Sequence, residues 1–288
     1  MTACAACGAP GVEPWASVRG FDVARCRACG HGQVENPPPD PAAIYDEGYF
    51  EGGASDGYAS YGATEAVLRA EFRRTLGRLG RHARPERAGA RGRLVEIGCA
   101  YGVFLDEARA RFDTFGVEVS EAAAARARER GLDVVTGEPT AELLRARGPF
   151  DAAAMLDVIE HLASPERALY ALVGATAPKA PLVVTTGDFG SIGARALGER
   201  WRLLTPPQHL HFFTRRSLEA LLWRTGFEVV EVRHPTKRVP VRLTAYQLAR
   251  AAGPASRALQ RVAARVPGWL GAPVNLFDAM QVIALRRG

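Results

Sequence analysis

Lysine is almost missing from this chain: of 37 basic residues only positions 179 and 237 are lysine, so arginine carries the positive charge. No lysine follows a glycine-rich turn, which speaks against a Walker-type nucleoside triphosphate loop. Also lacking is any run of 18 uncharged apolar residues, so no membrane-spanning helix is expected. The opening MTACAACGAP has neither a basic start nor a long apolar stretch, so it does not read as a secretory leader, and a cytoplasmic location is the expectation. No internal repeat is visible. What is present is ordinary for a soluble globular protein: 47% apolar and 24% charged residues in a chain of 288, enough for one large domain with a small appendage.

Charge of one sign is missing from one stretch. Between Arg233 and Arg265 there are eight basic residues and no acidic one, within a net charge of +6. Such lopsidedness points to an anionic partner, or else to a solvated arginine surface. Within it, Arg257, Arg261 and Arg265 share one helical face with Leu259, Val262 and Val266 nearby and Trp269 following. The stretch at about 236–275 is therefore read as a basic helical insert. It would pack on the domain, bind the diphosphate of a nucleotide- or lipid-linked substrate, or make weak contact with an anionic membrane surface.

Cysteine is scarce and concentrated: four of five fall in the first 29 residues, as CAAC (Cys4, Cys7) and CRAC (Cys26, Cys29), each pair followed by glycine. Two such turns can close a tetrahedral Cys4 zinc site, and a segment of this size needs a metal to hold a fold. Disulfides are the alternative, but nothing suggests export. Four thiolates leave no open coordination position, so the zinc would be structural. The fifth, Cys99, reads as a small residue that fits a turn.

The proline-rich NPPPDP beginning at Asn36 marks a boundary, giving a zinc ribbon over 1–36, a linker over 37–63 and a large domain over 64–288. The linker is glycine-rich and carries Tyr45, Tyr49, Tyr58 and Tyr61, anchors for packing or a lid over a pocket. Trp201 is likewise either pocket wall or core. Leu68, Phe72, Leu76 and Leu79 then recur at helical spacing. From there apolar strands alternate with helices: RLVEIG, TFGVEV, LDVVTG, FDAAAML, PLVVTT and FEVVEVR, with MQVIALRR closing the chain. One intervening helix opens with Ser164 as N-cap and Pro165 behind it. The pattern implies an α/β fold, a doubly wound, mostly parallel seven-stranded Rossmann-like sheet.

In LVEIGCAYGVFL the first strand runs into a turn with small residues at Gly98, Ala100 and Gly102; Val103 stands where a dinucleotide fingerprint needs its third glycine. Glu96 precedes the turn, and Glu118 ends the second strand twenty residues beyond Gly98. An acid near the turn suits a ligand with cationic groups, such as the sulfonium and ammonium of S-adenosylmethionine, while Glu118 is placed to accept from ribose hydroxyls. EIGCAYGVFL, Glu118 and FDAAAMLDVIEHLASP together resemble the class I S-adenosylmethionine-dependent methyltransferases over about residues 64–235. DVIEHL and PPQHLHFFTRRSLEALLWRTGFEVV are similar to members acting on small molecules of quinone, lipid and sugar pathways, and an N-terminal zinc segment resembles deoxysugar C-methyltransferases. The resemblance implies cofactor contacts at Glu96, Gly98, Cys99, Ala100, Tyr101, Gly102, Glu118 and Val119. It implies backbone from Met155 through Leu156 to Asp157 at the methionine end, and Gly137 and Glu138 near adenine.

Methyl transfer needs an aligned nucleophile and, for a hydroxyl or acidic C–H, a base. Glu160 and His161 follow the fourth strand beside the expected sulfonium, either as catalytic residues or as residues that orient the loop. The related sugar enzymes have a tyrosine two positions before the glutamate, where this chain has Val158. His209 and His211 alternate in HLHFF, so both can face a pocket from one side of an extended segment. No acidic pair has metal-ligand spacing with these histidines, so no catalytic metal is expected. The leading expectation is methylation of a small, nucleotide-linked or lipid-linked acceptor. An RNA methyltransferase is the rival, weakened by a nearly neutral ribbon (Arg19, Arg25 and Arg27 against Glu13, Asp22 and Glu35); a non-catalytic binding protein of the same fold is the other.

Overall fold

The computed structural model describes residues 3–39, 44, 61–83, 91–240 and 271–288. Three short strands come first, β1 (Val12–Val18), β2 (Phe21–Cys26) and β3 (Gly32–Val34). Then follow β4 (Gly92–Ile97), β5 (Phe112–Glu118), β6 (Val134–Thr136), β7 (Ala152–Leu156) and β8 (Pro181–Gly187). The two-residue β9 (His211–Phe212), β10 (Phe227–Arg233), β11 (Lys237–Pro240), β12 (Gly271–Val274) and β13 (Ala279–Arg286) complete the set.

The large sheet has the order β10–β13–β8–β7–β4–β5–β6. Its parallel strands are buried on both faces, which is why they read as continuous apolar runs rather than alternating ones. Leu94, Val95, Ile97, Ala153, Met155, Val183 and Val184 are all at most 2% exposed. β4 pairs in parallel with β5 on one side and β7 on the other, while β13 inserts antiparallel between β10 and β8. After β4 the chain first builds outward through β5 and β6, then returns to the other flank at β7. The switch point lies between β4 and β7, and the crevice beyond their carboxyl ends is where a ligand belongs.

Helices cover the sheet as the periodicity requires. Tyr61–His82 buries Leu76 and Leu79 against the Leu94 and Phe104 side. Hydroxyl caps start the others: Ser120, Thr140 and Ser191 each accept from a backbone N–H three residues on, and Thr214 forms a capping box with Ser217. Ser164 does sit before Pro165, but its side chain makes no cap bond.

The cysteine-bearing segment forms a second sheet, β1–β2–β3–β9, antiparallel throughout. Its last strand comes from the large domain. The ends of the basic insert, where helices are expected, are instead paired strands, β11 with β12. Residues 241–270, including Arg257, Arg261, Arg265 and Trp269, lie outside the described residues, as do Tyr45, Tyr49, Tyr58 and the side chain of Tyr61. Among the described residues no helix is long and apolar enough to cross a membrane.

One glycine of the turn after β4 is under a double constraint. Gly102 has φ +73°, and a Cβ there would lie 3.1 Å from Ala127 Cβ and 2.3 Å from Leu132 Cδ1. Left-handed strain of about 1–2 kcal/mol and local overpacking of about 1–3 kcal/mol both oppose a side chain. Gly102→Ala is expected to lower the free energy of unfolding by about 2–5 kcal/mol, read by urea titration. An unchanged midpoint would show that the turn is not locked against the following helix.

Candidate functional site

The turn at the end of β4 is held by backbone bonds: Gly98 N donates to Val117 O at 2.7 Å, and Gly102 N to Cys99 O at 2.8 Å. Gly98 (φ +69°), Ala100 (φ +47°) and Gly102 (φ +73°) all take left-handed conformations. A Cβ on Gly98 would sit 2.5 Å from Val158 Cγ2, so the turn is packed against the loop that leaves β7. Val158 is thus a packing residue against the turn.

Glu118, 5% exposed, does more than end β5. Its carboxylate accepts from Ala100 N at 2.8 Å and from Ser120 N at 2.9 Å, tying the turn to the second strand. Glu96 is 3% exposed, and its Oε2 has no hydrogen-bond partner among the described residues. Burial raises both carboxyls above the ordinary range, and for Glu96 the neighbouring Glu118 adds to the effect. An orphaned acid beside a second one favours a cation, because a buried charge is costly until it is paired. The residues therefore fit a cofactor carrying an ammonium and a ribose.

Other candidates are placed less uniformly. Cys99 is buried, and burial pushes its thiol up, which suits a space-filling role and not a nucleophile. The Tyr101 side chain turns back among Leu68, Phe72, Val103 and Ala123, so only its backbone belongs to the turn. Val119 is exposed at the edge, and Glu138 is exposed beyond Gly137, whose N–H donates to Glu118 O. Leu156 is half-buried; Asp157 has φ +54°, a strained setting for a non-glycine, and is held by Thr185 through its N–H and carboxylate.

Beyond Asp157 the chain brings Glu160, His161 and His209 together, with one ligand-type atom from each within 4.8 Å of the others. His161 Nδ1 donates to Gln208 O at 2.8 Å and His209 Nδ1 to Leu203 O at 2.7 Å, and the rings meet edge to face 4.6 Å apart. Both Nδ1 atoms face carbonyls, which favours the tautomer with the proton on Nδ1. Burial lifts the Glu160 carboxyl to about 7 and depresses both histidines, His209 to about 4. The absence of metal-ligand spacing along the chain is thus corrected in space: the fold assembles a trio that one cation can touch.

His211 is corrected too. It does not share a pocket face with His209; it is 7% exposed and stacks on His31 of the cysteine segment, with His31 Nε2 3.2 Å from His211 Nδ1. Trp201 is core, stacked on Phe189, with Nε1 donating to Asp278 Oδ2 at 3.3 Å. A pair that the spacing did not announce lies at the end of β8: Asp188 Oδ2 and His234 Nε2, 2.8 Å apart across 46 residues.

The four N-terminal cysteines are free thiols. Cys4 and Cys29 sulfurs are 3.6 Å apart, those of Cys7 and Cys26 3.7 Å, and all four lie within 4.8 Å. Tetrahedral bonds of about 2.3 Å place sulfurs about 3.8 Å apart, so the cluster is compatible with a zinc ribbon. Gly8 (φ +74°) and Gly30 (φ +75°) make the two turns, and Cys7 N donates toward Cys4 Sγ at 3.5 Å.

Residues 67–232, more than half of the chain, match the family described as "Methyltransferase domain". Over 101 residues the chain is 37% identical to a ubiquinone biosynthesis O-methyltransferase of a Caulobacter species, covering 33% of this chain and 40% of that protein. The chain thus spans less than half the length of that relative. A S-adenosylmethionine-dependent methyltransferase from Archaeoglobus fulgidus is similar in structure, with a TM-score of 0.51 and 18% identity over 86% of this chain and 100% of that one. Magnesium protoporphyrin IX methyltransferase from Synechocystis with bound S-adenosylhomocysteine gives 0.52 and 12%, over 85% and 99%. At such identities these two likenesses are likenesses of fold.

Proposed function

The chain belongs to the family of S-adenosylmethionine-dependent methyltransferase domains, and from that premise we propose that its acceptor is a small or carrier-linked metabolite methylated at a hydroxyl or an acidic carbon. The observation that carries this is the cluster of buried Glu160 with half-buried His161 and His209, directly after the loop that packs on the cofactor turn. A weakly acidic nucleophile needs a proton acceptor, whereas an amine already has its lone pair. The curated relative named for O-methylation supports a hydroxyl.

Bound at the turn, S-adenosylmethionine supplies a methyl group already activated by its sulfonium. The protein's part is to hold and desolvate. Glu118 fixes the turn and accepts from ribose hydroxyls, and Glu96 balances cationic charge at the methionine end. His161 takes the acceptor's proton at Nε2, with ionised Glu160 offsetting the imidazolium that forms. The basic run from Arg233 to Arg265 supports an acceptor with an anionic carrier. The four thiols bind a structural zinc ion, and a reducing cytoplasm keeps them available.

Methyl-labelled S-adenosylmethionine, offered with the purified protein to fractionated bacterial extract, tests the reading. Label is expected in the small-molecule or lipid fraction. Label that ribonuclease removes would put RNA in its place, and tight cofactor binding with label retained only on protein would exclude a metabolite acceptor.

A further inference from the structure

The cysteine segment does not merely lie against the large domain. It packs on Phe189 through Trp15 and Arg25, and its strand pairing with that domain falls on one stretch, residues 208–214. β3 pairs with β9, Gly32 opposite Phe212 and Gln33 opposite His211. Val34 N donates to Leu210 O at 2.9 Å, and Thr214 Oγ1 donates to Cys29 O at 2.7 Å, so one of these bonds reaches the main chain of a metal-binding cysteine. His31, fully buried, meets His211 at 3.2 Å and packs on Phe213, ring centroids 4.7 Å apart. A little further on, Arg224 Nη1 donates to Ala6 O at 2.9 Å.

The same stretch is bonded on its other side to the acceptor cluster. Leu210 N and His211 N both donate to Glu160 O, at 2.8 and 3.1 Å, and Gln208 O takes the Nδ1–H of His161. His209 itself belongs to the stretch. Thus each residue of the trio is either in 208–214 or bonded to it, and that stretch is edged by the cysteine sheet. The cofactor side is built differently: Glu96, Glu118 and the glycine turn are held by the β4–β5–β7 ladder and by one another.

We propose that the Cys4 ribbon is a clamp on the acceptor side of the site, with His31 as a positioning residue. Metal occupancy of the ribbon sets the geometry of Glu160, His161 and His209, while the cofactor side keeps its shape without it. The proposal rests on the zinc reading of the four cysteines. It assigns the ribbon a role inside the site, where recruitment of a partner would leave the site indifferent to the metal.

Amide hydrogen exchange on the full chain tests it, with zinc content and S-adenosylhomocysteine affinity measured on every sample. Stripping zinc with a chelator is expected to speed exchange roughly tenfold or more at 208–214 and 158–163. Exchange in 93–98 and 113–118, and S-adenosylhomocysteine affinity, should hold within about twofold. His31→Ala should keep its zinc and give the same regional pattern; His31→Gln, which restores a hydrogen-bonding group near the Nε2 position, should reverse most of it. In 15N-histidine spectra the His161 and His209 rings should show a single Nδ1–H tautomer in the zinc-loaded protein and a mixture in His31→Ala. Full protection at 208–214 after stripping would overturn the clamp. So would loss of protection in all strands together, which makes the metal a general stabiliser, or His31→Gln behaving like His31→Ala, which reduces His31 to packing. A chain that purifies folded without zinc fails the metal reading alone, and the His31 variants then decide whether the clamp exists.

Discussion

Glu118→Ala is expected to weaken S-adenosylhomocysteine binding by roughly 30- to 1,000-fold while leaving the fold intact. Two hydrogen bonds to a charged acceptor contribute about 1.5–3 kcal/mol each when intact, about 3–6 kcal/mol together; water entering the vacated space returns part of this, and the remaining loss of about 2–4 kcal/mol corresponds to that range. The substitution acts twice, because the carboxylate also restrains Ala100 and Ser120 through their N–H groups. Without it, Ala100 has less reason to stay at φ +47°, and the turn loses its shape before any ligand arrives. The fold survives, because β5 is paired with β4 from Phe112 to Val117 and with β6 from Gly116 to Glu118.

Stability and affinity should even part company. Burial raises the folded-state pKa of Glu118 above its unfolded value. A carboxyl of that kind contributes stability below its unfolded pKa and gives it up as pH rises through the folded one. At neutral pH alanine removes that liability, which offsets the two lost backbone bonds. Calorimetric titration together with thermal unfolding at pH 7 and pH 5 checks both halves. Affinity within threefold of the parent would remove Glu118 from the site.

Much of this was legible in the chain because buried parallel strands announce themselves. LVEI, AAAML and PLVVTT have no alternation to confuse with a surface strand, and acids placed inside such runs, Glu96 and Glu118, stand out against an apolar background. The cysteine pairs were equally plain, since sulfur spacing is local. The rest was not local. β3 and β9 have three and two residues, too short for any period, and they pair across some 180 positions. That pairing separates the two histidines of HLHFF, giving His209 to His161 and His211 to His31, where alternation alone sends both to one pocket. The direction of the Tyr101 ring was hidden for a related reason. In sequence it stands between Ala100 and Gly102, but two left-handed residues in four swing its ring back under the first helix. The Asp188–His234 pair and the Glu160–His161–His209 trio exist only once β7, β8 and the strands beyond are side by side.

That trio yields the second large effect. If His161 is the base proposed above, His161→Ala should cost about 100- to 10,000-fold in turnover, the usual range for removing a general base, with cofactor affinity unchanged because Glu96, Glu118 and the glycine turn are held without it. The pH profile identifies which group titrates. A base cluster works when its charged partner is ionised, and Glu160 reaches that state only as pH rises through about 7. Turnover should therefore climb about tenfold per pH unit below that point and level off above it. The histidines do not supply the rise: burial lowers both, His209 to about 4, which moves them away from pH 7 on the acid side. In Glu160→Gln the midpoint should vanish along with most of the rate, while His209→Ala should keep the midpoint if His161 is the proton acceptor. Near-normal turnover in His161→Ala would reduce it to a residue that orients the loop through Gln208. Turnover abolished by a chelator that leaves the ribbon's zinc in place would assign the three side chains to a cation, and with a cation holding Glu160 ionised the rise near pH 7 would move to lower pH.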